Sequence, residues 1–323
     1  MIKLTNINVG GVIFKWKINK IITNYNNSLV LEVILESISP EKLINVFNYR
    51  TIWIMKIRDD VNEGLIYLKY KLNDCIYALD IPKEKEYFNG SFELLNNINS
   101  YSTLTWYITE KYDEDIGKNY IFTKSKWKDL LVSVIQFLKY LHQQKIIHGD
   151  LKAKNILYKP HAEIIFKVCD YESLQTPRND EICKDEGYNG FYYYSLGCDK
   201  SQPYFSYRMD LEAFGHILWA VLLSTEKAEY LFEWQVMAYD LYKKKVKNKT
   251  DLYYNYYNYM DQIKKKSYNQ LMINIIEKYF KIISVIDWKS IEPPDNSIYD
   301  ELIELQNYND EINFYIDDTD NDS

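Results

Sequence analysis

The sequence predicts an α+β chain folded as two unequal lobes, a small β-rich one followed by a larger helical one. Residues 11–57 alternate or cluster β-branched and aromatic residues between polar turns, the period of half-buried strands. After Ile121 the apolar spacing lengthens to that of helices. The length of 323 residues, 47% hydrophobic and 26% charged, suits one large domain or two lobes sharing a cleft, with enough apolar surface for a sizeable core.

Along the chain, VIFKWKI, SLVLEVILE and RTIWIMKI read as strands, separated by turns such as TNYNN. Asp60–Leu72 is compatible with a helix, and Tyr101–Ile108 returns to strand character. Trp127, Leu130, Leu131, Val134, Leu138 and Leu141 then fall on one helical face, with Thr123 or Ser125 available to cap its start. DLEAFGHILWAVLL, from Asp210 to Leu223, is apolar nearly all round, which predicts a buried core helix. Helical character continues through Leu271–Val285. The expected boundaries are a first lobe over 12–108, a connecting hinge over 109–117, a second lobe over 118–306 and an acidic, weakly patterned tail over 307–323, read as disordered. The basic run Lys243–Lys249 reads as a solvated helix face, with a docking patch for an acidic partner as the alternative.

A net charge of −7 argues against a surface built to coat nucleic acid or an anionic membrane. Cys75, Cys169, Cys183 and Cys198 show no metal-ligand or redox spacing, which fits structural thiols in a reducing compartment. The start MIKLTNINVGG lacks a signal-peptide core, and no apolar run approaches the ~20 residues that span a bilayer. A soluble, monomeric, cytoplasmic protein is expected. The 32 Tyr and the many Asn fit an AT-rich coding sequence.

The chemistry concentrates in KIIHGDLKAKNIL, Lys145–Leu157. Phosphoryl transfer needs metal ions to screen the phosphates, a Lys to hold them, and a carboxylate to receive the proton of the attacking hydroxyl. Asp150 could be that carboxylate, Lys152 could reach the transferred phosphate, and Asn155 could coordinate a metal through its amide oxygen. Asp170 follows the apolar strand IIFKV, where a second hard oxygen ligand for Mg²⁺ would stand. Singly, each residue reads as a satisfied polar turn or a cap. The joint pattern D-x-K-x-x-N, strand, D, after a long amphipathic helix, is far more specific.

With these residues the chain resembles the protein kinases. HGDLKAKN in place of the common H-R-D form resembles the casein-kinase-1 superfamily, especially the vaccinia-related kinases and their poxvirus relatives. SYRMDLEAFGHILW (Ser206–Trp219) is similar to that group's S-R-R-x-D-L-E-x-L-G-Y signature, and NGFYYYSLGCDKSQ stands where the stretch before it lies. EPPDNSIYDELIEL resembles the closing helix. The resemblance runs from about Trp16 to Gln306 and implies a bilobal protein-kinase-like fold with ATP and Mg as cofactors. It places Lys56 on the phosphates and Glu63 as its ion-pair partner, although seven residues separate them, fewer than usual. Thr109, Glu110 and Tyr112 would line the hinge beside adenine. Asp210 would be structural, accepting backbone N–H bonds from the catalytic loop. Lys56, Asp150, Asn155 and Asp170 are expected to converge on one pocket. Gly149 stands where the family has the Arg that reads an activation-loop phosphate, so the active geometry should not depend on such a phosphate.

Two departures stand out. The loop expected at Ile22–Ser28, ITNYNNS, carries no glycine, although Asn24, Asn26 and Asn27 are the next most tolerant of φ > 0. Asp170–Tyr171–Glu172 replaces D-Y-G, and Glu172 sets a negative charge beside a metal ligand, where it could assist a cation or, by repulsion, cost nucleotide affinity, the outcome expected here. The resemblance therefore implies a protein serine/threonine kinase acting on a protein substrate, weakened by these changes. The alternative is a pseudokinase acting on a regulatory protein partner. A small-molecule kinase is disfavoured by the S-Y-R-M-D-L-E signature. Resemblance and composition together imply a viral source and action in the host cytoplasm.

Overall fold

The computed structural model describes residues 12–13, 16–25, 28–35, 52–58, 63–81, 89–95, 101–118, 120–177, 206–223, 270–287 and 290–308. The run Lys243–Lys249, the stretch NGFYYYSLGCDKSQ, Cys183, Cys198 and the tail from residue 309 lie outside them. The chain divides into two compact units, Met1–Asp113 with Lys167–Leu174, and Glu114–Phe166 with Gln175–Ser323.

Among the described residues the first unit carries a six-stranded antiparallel sheet. Strands β1 (Val12–Ile13), β2 (Trp16–Tyr25), β3 (Ser28–Leu35), β4 (Trp53–Arg58), β5 (Asn89–Leu95) and β6 (Tyr101–Glu110) lie in the order β1-β2-β3-β4-β6-β5. Alternation decides the faces. In β4, WIMKIR, Trp53, Met55 and Ile57 are buried with Leu29, Leu31, Val33, Trp106 and Ile108 in one apolar cluster. Ile54, Lys56 and Arg58 therefore lie on the opposite face. Helix α1 (Glu63–Lys69) follows β4 and ends in a 3₁₀ turn over Leu72–Asp74.

The stretch Ile22–Ser28 is mostly strand where a loop is expected. β2 continues to Tyr25, β3 starts at Ser28, and these two residues face each other. Ile21, Ile22 and Thr23 are β-branched and favour the extended chain. Register shifts between Ile18 and Lys20 and between Ile21 and Thr23 absorb the extra residues of β2. Asn26 and Asn27, which join the strands, lie outside the described residues.

The second unit pairs β7 (Glu114–Asp115) with β8 (Ile156–Tyr158), and its longest elements among the described residues are helices. Helix α2 (Tyr120–Ser125) leads directly into α3 (Trp127–Gln143). The six apolar residues expected on one face of α3 are all buried. Neither expected cap is used. Lys126 occupies the N-cap without a side-chain bond, while Thr123 donates to the Ile116 carbonyl and Ser125 to that of Phe122. Because α2 already makes 120–125 helical, both hydroxyls bond back to carbonyls instead of forward to free amides. After β9 (Phe166–Val168), α4 (Tyr207–Leu223) starts three residues before the expected Asp210 and is buried on nearly every side, as its composition predicts. It packs on α3 and on α5 (Gln270–Ile283), and α3 also packs on α6 (Asn296–Glu304). Asp295 caps α6, accepting from the Ser297 amide at 2.8 Å. Among the described residues no helix is long and apolar enough to cross a membrane.

Candidate active site

In the first unit, Lys56, Glu63 and Asp170 come together. The Lys56 ammonium lies 2.7 Å from Glu63 Oε2 and 2.7 Å from Asp170 Oδ1. The short spacing between Lys56 and Glu63 is bridged because α1 begins at Glu63 itself, placing its carboxylate in the first turn. Glu63 Oε1 accepts from the Tyr171 amide at 2.8 Å, and Tyr107, the cross-strand partner of Lys56, also hydrogen-bonds Glu63. Burial alone would lower the Lys56 pKa, but Glu63 and then Asp170 more than offset it and push it up, so the ammonium form is secured.

Asp170 takes a left-handed backbone, φ 69°, an uncommon conformation for a residue with a Cβ. The neighbouring Tyr171 is completely buried. Its hydroxyl donates to the Val168 carbonyl at 2.7 Å and accepts from the Leu79 amide at 2.9 Å, which fixes the turn from inside. Glu172 ion-pairs with Arg58. Burial and then Asp170 raise the Glu172 pKa, while Lys56 and Arg58 pull it down. The charge that the sequence sets beside Asp170 is thus met by a guanidinium. Oxygens of Glu63, Asp170 and Glu172 lie within 4.8 Å of one another, a group that could hold a metal ion.

The expected hinge residues are also in this unit. Thr109, Glu110 and Tyr112 are buried. The Glu110 carboxylate is committed to Lys167, 2.5 Å away, and to the Asp80 amide at 2.7 Å, while the Glu110 amide donates to the Asp80 carbonyl. Lys167 also stands 5.7 Å from the centre of the Tyr112 ring.

In the second unit, Asp150, Lys152 and Asn155 form their own cluster. Lys152 Nζ lies 2.5 Å from Asp150 Oδ2. Asn155 Nδ2 donates to the Asp150 carbonyl at 2.8 Å and to its Oδ2 at 3.2 Å, which leaves the amide oxygen as the atom with metal affinity. Asp150 Oδ1 is buried with no hydrogen-bond partner among the described residues. Asp210 holds the loop from below, accepting from the amides of His148 at 2.6 Å and Gly149 at 2.9 Å. His142 sits behind it, its Nε2 3.1 Å from Asp210 and its Nδ1 2.6 Å from the Tyr299 hydroxyl.

The protein kinase domain family matches this chain over residues 57–303. The chain belongs to the protein kinase family. Its kinase domain is 30% identical over 94 residues to Kinase suppressor of Ras B of Caenorhabditis elegans, a match covering 28% of this chain and 16% of that protein. It is 25% identical over 197 residues to the phosphorylase b kinase gamma catalytic chain, liver/testis isoform, of Bos taurus, covering 60% of this chain and 43% of that one. The matched regions thus span less than half the length of these relatives. Among solved structures, vaccinia related kinase 3 aligns with a TM-score of 0.53 at 11% identity, over 94% of this kinase chain and 90% of that chain, a likeness of fold.

Three groups escape a reading of the sequence. Arg58 carries a readable signal, since it stands two residues after Lys56 on an alternating strand and so shares its face. Lys167 and His142 carry none, because their partners are set by tertiary packing alone.

Proposed function

We propose that this chain is an ATP- and Mg-dependent protein serine/threonine kinase of the casein-kinase-1 superfamily, similar to the vaccinia-related kinases. One observation carries the reading. Asp150 has one carboxylate oxygen engaged by Lys152 and Asn155 and the other buried without a hydrogen-bond partner among the described residues. Leaving a buried carboxylate oxygen unsatisfied is costly unless a ligand supplies the missing donor. A substrate hydroxyl is such a donor, and Asp150 would orient it and accept its proton.

The residues present fit the cofactor. Bound Mg–ATP would supply the phosphoryl group and the metal charge that screens it. Asn155, its amide nitrogen already committed, would offer its oxygen to the metal, and Asp170 would offer a carboxylate. Lys56, held charged by Glu63, would engage the α- and β-phosphates. Lys152 would neutralise charge on the transferred group. Thr109 and Tyr112 would line the base, and Glu110 would contribute main chain, its carboxylate being occupied by Lys167. A protein substrate and a monomeric, cytoplasmic enzyme complete the proposal.

A second reading, a pseudokinase that binds a regulatory protein partner, is favoured by Glu172 in place of glycine and by the glycine-free hairpin. Mg-dependent ATP binding by thermal shift, with phosphorylation of a generic protein acceptor, separates the two. Asp150→Asn should abolish transfer and leave Mg-ATP binding largely intact, whereas Asp170→Asn should weaken binding itself. Absence of any Mg-ATP shift in the wild type would select the pseudokinase.

A further inference from the structure

Arg58 and Glu172 form a second rung beside Lys56 and Asp170. The two cations are two residues apart on β4 and share one face. The two acids are also two residues apart: Asp170 pairs with Lys56, which also holds Glu63, and Glu172 pairs with Arg58. Neither side chain of the second rung is fully exposed, at 18% for Arg58 and 26% for Glu172.

Without Arg58, Glu172 would be a half-buried carboxylate beside Asp170 and near Glu63, one oxygen of each of the three lying within 4.8 Å of the others. Three carboxylates facing a single ammonium repel one another, and two of them sit on the same turn. Removing one partner of a desolvated pair leaves the other charge uncompensated, which costs more than removing both. On this basis we propose that Arg58 is a positioning residue: by neutralising Glu172 it keeps the 170–172 turn in place, with Asp170 on Lys56. Resting on the kinase reading, it would thereby present Asp170 for the metal–nucleotide complex. Glu172 is then not a lesion that repels nucleotide but half of a matched substitution, contrary to the expectation that its charge costs nucleotide affinity.

The test compares the full-length wild type with Arg58→Gln, Arg58→Lys, Glu172→Gln and the double variant Arg58→Gln/Glu172→Gln. Hydrogen exchange is read at the amides of Tyr171 and Leu174, which are bonded to Glu63 and to the Tyr171 carbonyl. Arg58→Gln should accelerate exchange there by about fivefold, the size expected for one partly buried pair. The double variant should return to within about twofold of wild type, because the unpaired carboxylate is gone. Arg58→Lys should stay close to wild type. Mg-ADP affinity should follow the same order. Unchanged exchange in Arg58→Gln, or a double variant as fast as the single one, would overturn the proposal. Should Arg58→Gln fail to fold by circular dichroism, Glu172→Gln decides: near-wild-type exchange supports neutralisation, and fast exchange refutes it. If the wild type binds no Mg-ADP, the kinase reading fails while the exchange comparison still decides the role of Arg58.

Discussion

At the scale of single residues, Gly149 shows how one position serves the loop before β8. Its φ is 79°, and its amide donates to Asp210. A Cβ in this conformation is strained, so Gly149→Ala should destabilise the protein by about 1 kcal/mol, measured as a lower urea midpoint with an unchanged slope. Gly149→Asn should cost less, since Asn tolerates the left-handed region best among residues with a Cβ. The H-x-D-x-K-x-x-N spacing was legible in the sequence because short-range chemistry dictates it. The unsatisfied oxygen of Asp150 was not, since it depends on which way Lys152 and Asn155 turn. Glu172 was legible as a charge; its partner depends on the pleat of β4, which sets the face on which Arg58 emerges.

At the scale of elements, the glycine of the SYRMDLEAFGHILW signature has a packing reason. A Cβ at Gly215 would lie 2.6 Å from Tyr279 Cε1 and 3.0 Å from Phe280 Cζ. Tyr279 cannot easily withdraw, being fully buried with its hydroxyl bonded to the Leu211 carbonyl at 2.7 Å. Gly215→Ala gains about 1 kcal/mol in helix propensity. Forcing α4 and α5 apart costs about 1–3 kcal/mol, so the variant should be less stable in a calorimetric melt. An increase in Tm would show that the helices separate freely. The long elements were readable because periodicity persists over many residues, as in the buried face of α3 and the all-round apolar α4. Their ends were not. The caps of α3 were misplaced because α2 runs into it, and the hairpin of β2 and β3 was read as a loop because its polar Asn residues obscured the β-branched run Ile21–Thr23.

At the scale of the whole molecule, the chain completes its first unit late. Lys167–Leu174 belongs with residues up to Asp113, yet it is reached only after Glu114–Phe166. A ribosome therefore releases the sheet before the segment that completes its ion pairs and hydrogen bonds. Until residue 174 has emerged, the carboxylates of Glu63 and Glu110 lack the Tyr171 amide and the Lys167 ammonium, and Lys56 lacks Asp170. Unpaired buried charge is costly, about 3 kcal/mol for one broken pair. A fragment ending at Asp113 should accordingly show poor amide dispersion by NMR, and fusing Lys167–Leu174 to it through a flexible linker should sharpen the spectrum. A well-dispersed spectrum from the fragment alone would refute this. Synthesis order thus gives this chain a long interval in which a nascent sheet, its charges balanced in number but not yet paired, awaits its partners, an interval in which a chaperone could intervene.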